Sequence, residues 1–305
     1  MLLLINPSSY KNAIDLINLN VDSIFIGTKE YSCRNNCNLS IEQIRELTLN
    51  KKQAKIYILV NAFFFDQQLE ALTNYLCQIS KLNIDGIIFS DVAVNQICCE
   101  QKINIHLIYT PETLVTNYDQ FPFYLDNHIS EVSLARELNI NEIKEIAKNK
   151  DKMKLQIQVG GYAYMMHSRW KLISNFKEVN KLNEGLTNQK LLIREVTRDK
   201  PCIIYEDIHG THILTNYSLC LFDKLKELND IGIDTIRIDS FLHNDEWTLK
   251  VAQLYLDGIE AIKDGTFNED LAKKTMDELK QLDEISHGFY SMGKDDLFCL
   301  LKDET

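Results

Sequence analysis

A short phrase recurs three times along this chain: VDSIFIG from Val21 to Gly27, IDGIIFSD from Ile84 to Asp91, and IDTIRIDS from Ile233 to Ser240. Each copy reads as an αβ turn running into a brief, Ile-rich strand, and helical patterns such as Leu69 to Leu82 and Leu219 to Leu228 precede them. Strands covered by helices on both faces are short and apolar throughout, as these are. Further candidates at Leu2 to Ile5, Ile56 to Val60, Asn104 to Leu107, Glu131 to Leu134 and Leu155 to Val159 bring the set to eight. Eight strands alternating with helices predict an α/β fold of TIM-like (β/α) barrel type. A doubly wound open sheet is the runner-up, weakened by the absence of GxGxxG after the first strand and of GxxxxGK[ST] anywhere.

The interval from Val159 to Thr235 is too long for one helix, so an insertion is expected at about 160–215, before the last strand. The predicted organisation is a barrel over 1–242 and a helical C-terminal extension over 243–305 packed on it. At 305 residues and 45% hydrophobic content the chain can bury a full core. Its eight Cys form no CxxC pair, which points to reduced thiols and a cytoplasmic setting. The start MLLLINPSS lacks a basic leader region, and no run approaches the roughly 20 apolar residues of a membrane span, so no membrane association is expected. A net charge of −11 counts against this chain gripping a nucleic-acid backbone alone.

In a parallel barrel, chemistry gathers at the C-terminal ends of the strands. Arg34 and Asn36 follow the second strand, Asn61 ends the third and Thr110 the fifth; Arg136 and Glu137 follow the sixth, and Asp239 ends the last. The insertion adds the polar stretch YEDIHGTHILTN, Tyr205 to Asn216, expected as a loop before a helical run. Glu137, His167, Glu206, Asp207, His209 and His212 are the candidate catalytic groups, because carboxylates and imidazoles move protons at neutral pH. Arg34, Arg136, Arg169 and Arg198 suit a carboxylate or phosphate, which guanidinium groups bind through two parallel hydrogen bonds. Asn36, Asn61, Thr110, Glu195, Tyr205, Asn216 and Asp239 complete the expected binding set. No HExxH occurs and no metal site is predicted; no GxSxG elbow is present either.

Four motifs carry a family likeness: SCRNN at Ser32 to Asn36, SLARELNINEI at Ser133 to Ile143, HSRWKLISNF at His167 to Phe176, and YEDIHGTHILTN. Together, in this order, they resemble the collagenase-like peptidase family U32. The family's name implies proteolysis, while its better understood members act as hydroxylation proteins on the tRNA wobble uridine, ribosomal RNA or a quinone precursor, several with prephenate. Many relatives hold an iron–sulfur cluster on four Cys. The matching segment here, VGGYAYMMHSRWKLISNF, contains none, and only Cys202 and Cys220 lie near the later one.

The resemblance therefore implies the short branch without cluster cysteines. It implies a subunit of prephenate-dependent 5-hydroxyuridine formation, binding no cofactor itself, with prephenate as co-substrate. The cluster and much of the tRNA contact would belong to a longer paralogue. A collagenase-like peptidase and a non-catalytic binding or scaffold barrel are the alternatives.

Overall fold

The computed structural model describes residues 1–182, 185, 187–194, 196 and 200–293. Its strands are β1 (Leu2–Ile5), β2 (Ser23–Gly27), β3 (Lys55–Val60), β4 (Gly86–Phe89), β5 (His106–Tyr109), β6 (Glu131–Ser133), β7 (Lys154–Ser168), β8 (Leu191–Ile193), β9 (Cys202–Asp207), β10 (Gly210–Cys220), β11 (Thr235–Ile238) and β12 (Ile285–Ser286). The helices are α1 (Tyr10–Asn18), α2 (Ile41–Leu49), α3 (Leu69–Ile79), α4 (Val92–Glu100), α5 (Phe121–Asp126), α6 (Ile140–Lys148), α7 (Leu172–Val179), α8 (Leu225–Asp230), α9 (Asp245–Lys263) and α10 (Glu269–Leu282).

Strands β1 to β7 pair in sequence order, all parallel, and β11 pairs with both β7 and β1, closing an eight-stranded parallel barrel ringed by helices. All eight predicted strands are present. The fifth starts later than expected, at His106, because the turn that ends α4 extends to Ile103, whose amide bonds Cys98 O at 2.8 Å. Short polar residues start many of the helices: Ser9, Ser40, Asp91, Asn139, Asn244 and Asn268 each accept a hydrogen bond from the first turn.

Alternation along the strands separates two cores. Ile24, Ile26, Ile56, Ile58, Leu155, Ile157 and Ile236 join the large cluster between sheet and helices. The intervening residues face the lumen, and their character changes around the barrel. On β1 to β5 they are the buried Leu4, Phe25, Tyr57, Leu59, Ile88 and Ile108. On β6, β7 and β11 they are Glu131, Gln156, Gln158 and Arg237, each buried and polar. A lumen half apolar and half polar is not required for packing, and it points to a use for the polar half.

The insertion differs from expectation. YEDIHGTHILTN is not a loop but an antiparallel hairpin, β9 and β10, joined at Ile208 and His209, with Gly210 at φ +122°. Strand β7 runs past the barrel to Ser168 and pairs antiparallel with β10. The stretch is polar because Glu206 and Thr211 on one face of the hairpin and His212 on the other are buried and each hydrogen-bonded, rather than because it is solvated. Helix α9 packs on α1 and β1 in the helical ring, α10 lies against α9 and the turn at Phe222–Lys224, and β12 adds to β10. Among the described residues no helix is long and apolar enough to cross a membrane.

Strand β7 leaves the barrel at Gly161, which has φ +85° and lies so close to β11 that an added Cβ would stand 1.8 Å from Asp239 O. Gly161→Ala is expected to cost more than the roughly 1–3 kcal/mol of a strained backbone alone. Gly265 also has positive φ, +73°, but open space around it. Urea denaturation of Gly161→Ala beside Gly265→Ala should therefore show the larger loss for the former.

Candidate functional site

Three guanidinium groups and two carboxylates meet at the C-terminal mouth of the barrel. Arg237 points from β11 into the lumen and contacts Asp239 Oδ2 at 2.9 Å and Glu112 Oε2 at 3.9 Å. Arg34, held by the loop after β2 in a left-handed conformation (φ +54°), pairs with Glu112 Oε1 at 3.2 Å. Arg136 follows β6 and donates to Met165 O at 3.3 Å. The Tyr164 ring lies beneath two of them, 4.1 Å from the Arg34 guanidinium carbon and 5.0 Å from that of Arg136.

The charges are unequally compensated. Burial would raise the Glu112 carboxyl, but Arg34, Arg237 and Arg136 together hold it below its ordinary value. Burial keeps Asp239 above its ordinary value despite Arg237. Among the cations, burial pulls Arg136 down, whereas against their burial Arg34 is raised by Cys33 and Glu112, and Arg237 by Asp239 and Glu112. Two guanidinium atoms, Arg136 Nη1 and Arg237 Nε, are buried with no hydrogen-bond partner. An orphaned buried donor costs about 1–3 kcal/mol, so the cluster is short of acceptors.

The inserted hairpin roofs this cluster. Its tip reaches the loop after β2, where His209 Nε2 donates to Lys29 O at 2.8 Å. His167, at the end of β7, meets Phe63 after β3 at 5.2 Å, and Arg169 stacks on Phe65 at 3.5 Å. Beneath the roof only about 30 Å³ remains open, bordered by Arg34, Asn61, Thr110, Glu112, Tyr164 and Asp239. A hollow of about 1020 Å³ lies at the opposite, N-terminal end beside Lys55, His106 and Asp234, away from the ends that carry chemistry in parallel barrels.

A hydrogen-bond chain crosses the roof. Asp207 Oδ1 accepts from His212 Nε2 at 3.1 Å, and His212 Nδ1 faces His167 Nδ1 at 3.1 Å. The Asp207 carboxyl, though burial raises it, is brought below its ordinary value by His212, so it accepts. His212 therefore donates through Nε2 and accepts through Nδ1, which makes His167 the Nδ1–H donor and leaves its Nε2 as a lone pair. Burial, reinforced by His212, lowers His167 to about 4, so the ring is neutral near pH 7. The chain can present a neutral imidazole nitrogen as proton or hydrogen-bond acceptor.

The remaining predicted residues take varied places. Glu206 stands apart from the relay: its carboxylate receives Ile173 N, Ser174 N, Ser174 Oγ and Thr211 Oγ1 and so caps α7. Asn36 ties the second loop to the last, donating to Ser240 O and His243 O. Asn61 receives Cys33 N at 2.9 Å, and Thr110 donates to Phe89 O at 3.3 Å, both at the cluster's edge. Glu137 is half-exposed and pairs with Arg136 at 3.6 Å. Tyr205 packs edge-on against Phe241, and Asn216 borders a side pocket with Arg136 and Glu137. Glu195 and Arg198 lie outside the described residues.

Sequence reasoning missed Glu112, Tyr164 and Arg237. Arg237 had a signal: a lone Arg between Ile236 and Ile238 in a strand buried on both sides must be neutralised internally. Glu112, two residues after Thr110, falls where the same strand-end rule would place it.

The family model described as Peptidase family U32 matches residues 8–297. tRNA hydroxylation protein P2 of Bacillus subtilis is 30% identical over 264 residues, covering 85% of this chain and 85% of that protein. tRNA hydroxylation protein P1 of the same organism is 24% identical over 272 residues, covering 86% of this chain but 64% of that protein, so the chain spans under two thirds of the longer relative. Among solved structures, the U32 peptidase Mk0906 aligns over 77% of this chain and 91% of its own, at 10% identity and a TM-score of 0.49.

The histidine chain predicts a pH dependence. The folded-state pKa of His167 lies below its ordinary value of 6.5, and that of His212 is lowered by burial too. The unfolded chain thus binds more protons, and stability contributed by the neutral rings is lost as pH falls from about 6.5 toward about 4. Thermal melts across this window should show a smaller loss for the double variant His167→Gln, His212→Gln than for the native chain.

Proposed function

The chain belongs to peptidase family U32, and from that premise we propose that it is a subunit of a prephenate-dependent system that hydroxylates the tRNA wobble uridine. The observation that carries this reading is the acceptor-poor guanidinium cluster at the roofed barrel mouth. Such a cluster suits a small carboxylate approaching its least compensated member, whose oxygens would take the hydrogen bond that Arg136 Nη1 lacks. The 30% identity to a tRNA hydroxylation protein across most of both chains supports the same assignment.

Replacing C5–H of uridine by C5–OH is a two-electron oxidation. The segment Val159 to Phe176 offers no thiolate, so the iron–sulfur centre is assigned to a longer paralogue of the P1 type, and this chain is read as holding no cofactor of its own. The net charge of −11 fits a division in which the partner carries much of the tRNA surface. The reading places the complex in the cytoplasm with its tRNA.

A peptidase reading finds less support in geometry. Ser218, His243 and Asp283 converge, but Ser218 Oγ and Asp283 Oδ2 both address His243 Nε2, at 3.3 and 2.9 Å, while Nδ1 is buried and unpartnered. A nucleophilic relay needs serine and acid on opposite ring nitrogens.

Nucleoside mass spectrometry of tRNA from cells lacking the gene should show loss of 5-hydroxyuridine derivatives. Native sequence should restore them, and Arg136→Ala should not, with the variant still folded by circular dichroism. Unaltered tRNA in the deletion strain would remove the hydroxylation reading.

A further inference from the structure

A second pocket, of about 370 Å³, lies beside the roofed mouth, between the end of β6, the β7–β10 ladder and the turn Gly288–Ser291. Its wall is largely apolar: Met165, Met166, Leu219, Phe289 and Met292 contribute. Arg136 stands in that wall with 8% of its side chain exposed. Its Nη2 is engaged by Met165 O and Glu137, and its Nη1 has no acceptor. Asn216 also borders the pocket, and its side-chain amide hydrogen-bonds to no described residue. Glu137 and Lys200 stand at the pocket as well, Glu137 paired with Arg136 and Lys200 with Glu284.

The volumes separate the two cavities. The space under the roof, about 30 Å³, holds little more than one water. The side pocket falls within the ~300–1,000 Å³ range of small-molecule sites. An apolar wall with two or three convergent donors selects an anion carried on an apolar body, because a hydrated ion gains nothing from methionine and phenylalanine contacts.

We propose that this pocket binds a small carboxylic acid bearing an apolar ring or chain, with its carboxylate on Arg136 Nη1 and Asn216 and its body against Met165, Met166 and Phe289. The inference deepens the proposed function, on which it rests for the ligand's biological identity, by placing the co-substrate beside the barrel mouth rather than within it. Arg136 then links the ligand to the Arg34–Glu112–Arg237 cluster through the Tyr164 ring that it shares with Arg34.

Calorimetric titration of the full chain with prephenate, phenylpyruvate and pyruvate tests this. Prephenate and phenylpyruvate are expected to bind, and pyruvate, which lacks the ring, at least about tenfold more weakly. Arg136→Gln and the pocket-filling Met166→Trp should each weaken binding by at least about tenfold, with Lys226→Gln, an exposed residue of α8 paired with Asp230, close to native. Should Arg136→Gln fail to fold, Met166→Trp decides. Three results overturn the proposal: no binding of any probe to the native chain, equal affinity for pyruvate and phenylpyruvate, or native affinity in Met166→Trp. Binding as expected with unaltered tRNA in the deletion strain would leave the pocket standing and refute the hydroxylation reading; loss of the modified nucleosides without binding would do the reverse.

Discussion

The double pairing of β11 is the constraint from which the rest of the molecule follows. Four residues join β1 on one side and β7 on the other, and without them the sheet would have two open edges. The same pairing directs Arg237 into the lumen, where a guanidinium cannot remain without counter-charge. Asp239 and Glu112 answer it, Arg34 answers Glu112, and a network of four charged side chains is assembled from one strand's register. Between Arg237 and Ile238 the β7 partner slips from Gln158 to Gly160. That break, with the positive φ of Gly161, lets β7 leave the barrel and become the first strand of the roof.

The roof is held by polar contacts that would be costly if any were missing. Glu206 is nearly fully buried, and the N-terminal amides of α7 satisfy its carboxylate, so the helix and the hairpin fix each other. The Asp207–His212–His167 chain runs alongside, and contacts to Lys29, Phe63 and Phe65 carry the roof across to the opposite side of the barrel. The roof leaves room for little more than one water beside the guanidinium cluster, and low local hydration strengthens its electrostatics and makes each missing acceptor count for more.

The barrel was legible because closure needs repeated Ile-rich strands between amphipathic helices, and that repetition survives in the linear chain, as the three IDxI-type phrases show. Rule-based placement at strand ends also found Arg34, Asn61, Thr110, Arg136 and Asp239 at one mouth. The hairpin was not legible as strands. Its apolar residues, Ile203, Ile204, Ile213 and Leu214, are outnumbered by groups such as Glu206, Thr211 and His212, whose burial depends on partners distant in sequence. The same reason separates Glu206, a cap for α7, from its neighbour Asp207, which belongs to the histidine chain: successive residues of a strand face opposite sides, and composition carries no record of which side is which.

The three arginines, similar as residue types, are made unequal by their surroundings. Arg34 has Glu112 and the face of Tyr164, and Arg237 has Asp239 with Glu112 beyond it. Arg136 has a carbonyl, the more distant edge of the shared ring interaction and a half-exposed Glu137 at 3.6 Å, and Glu112 acts on it from beyond hydrogen-bonding reach. An incoming carboxylate gains most where compensation is least, because it adds an ion pair without displacing one already formed. Arg136 is that place, and it is also the guanidinium that borders a cavity large enough to admit a ligand. Binding there would change the charge next to Tyr164 and, through it, Arg34, giving the side pocket an electrostatic route to the roofed cluster without any rearrangement of the barrel.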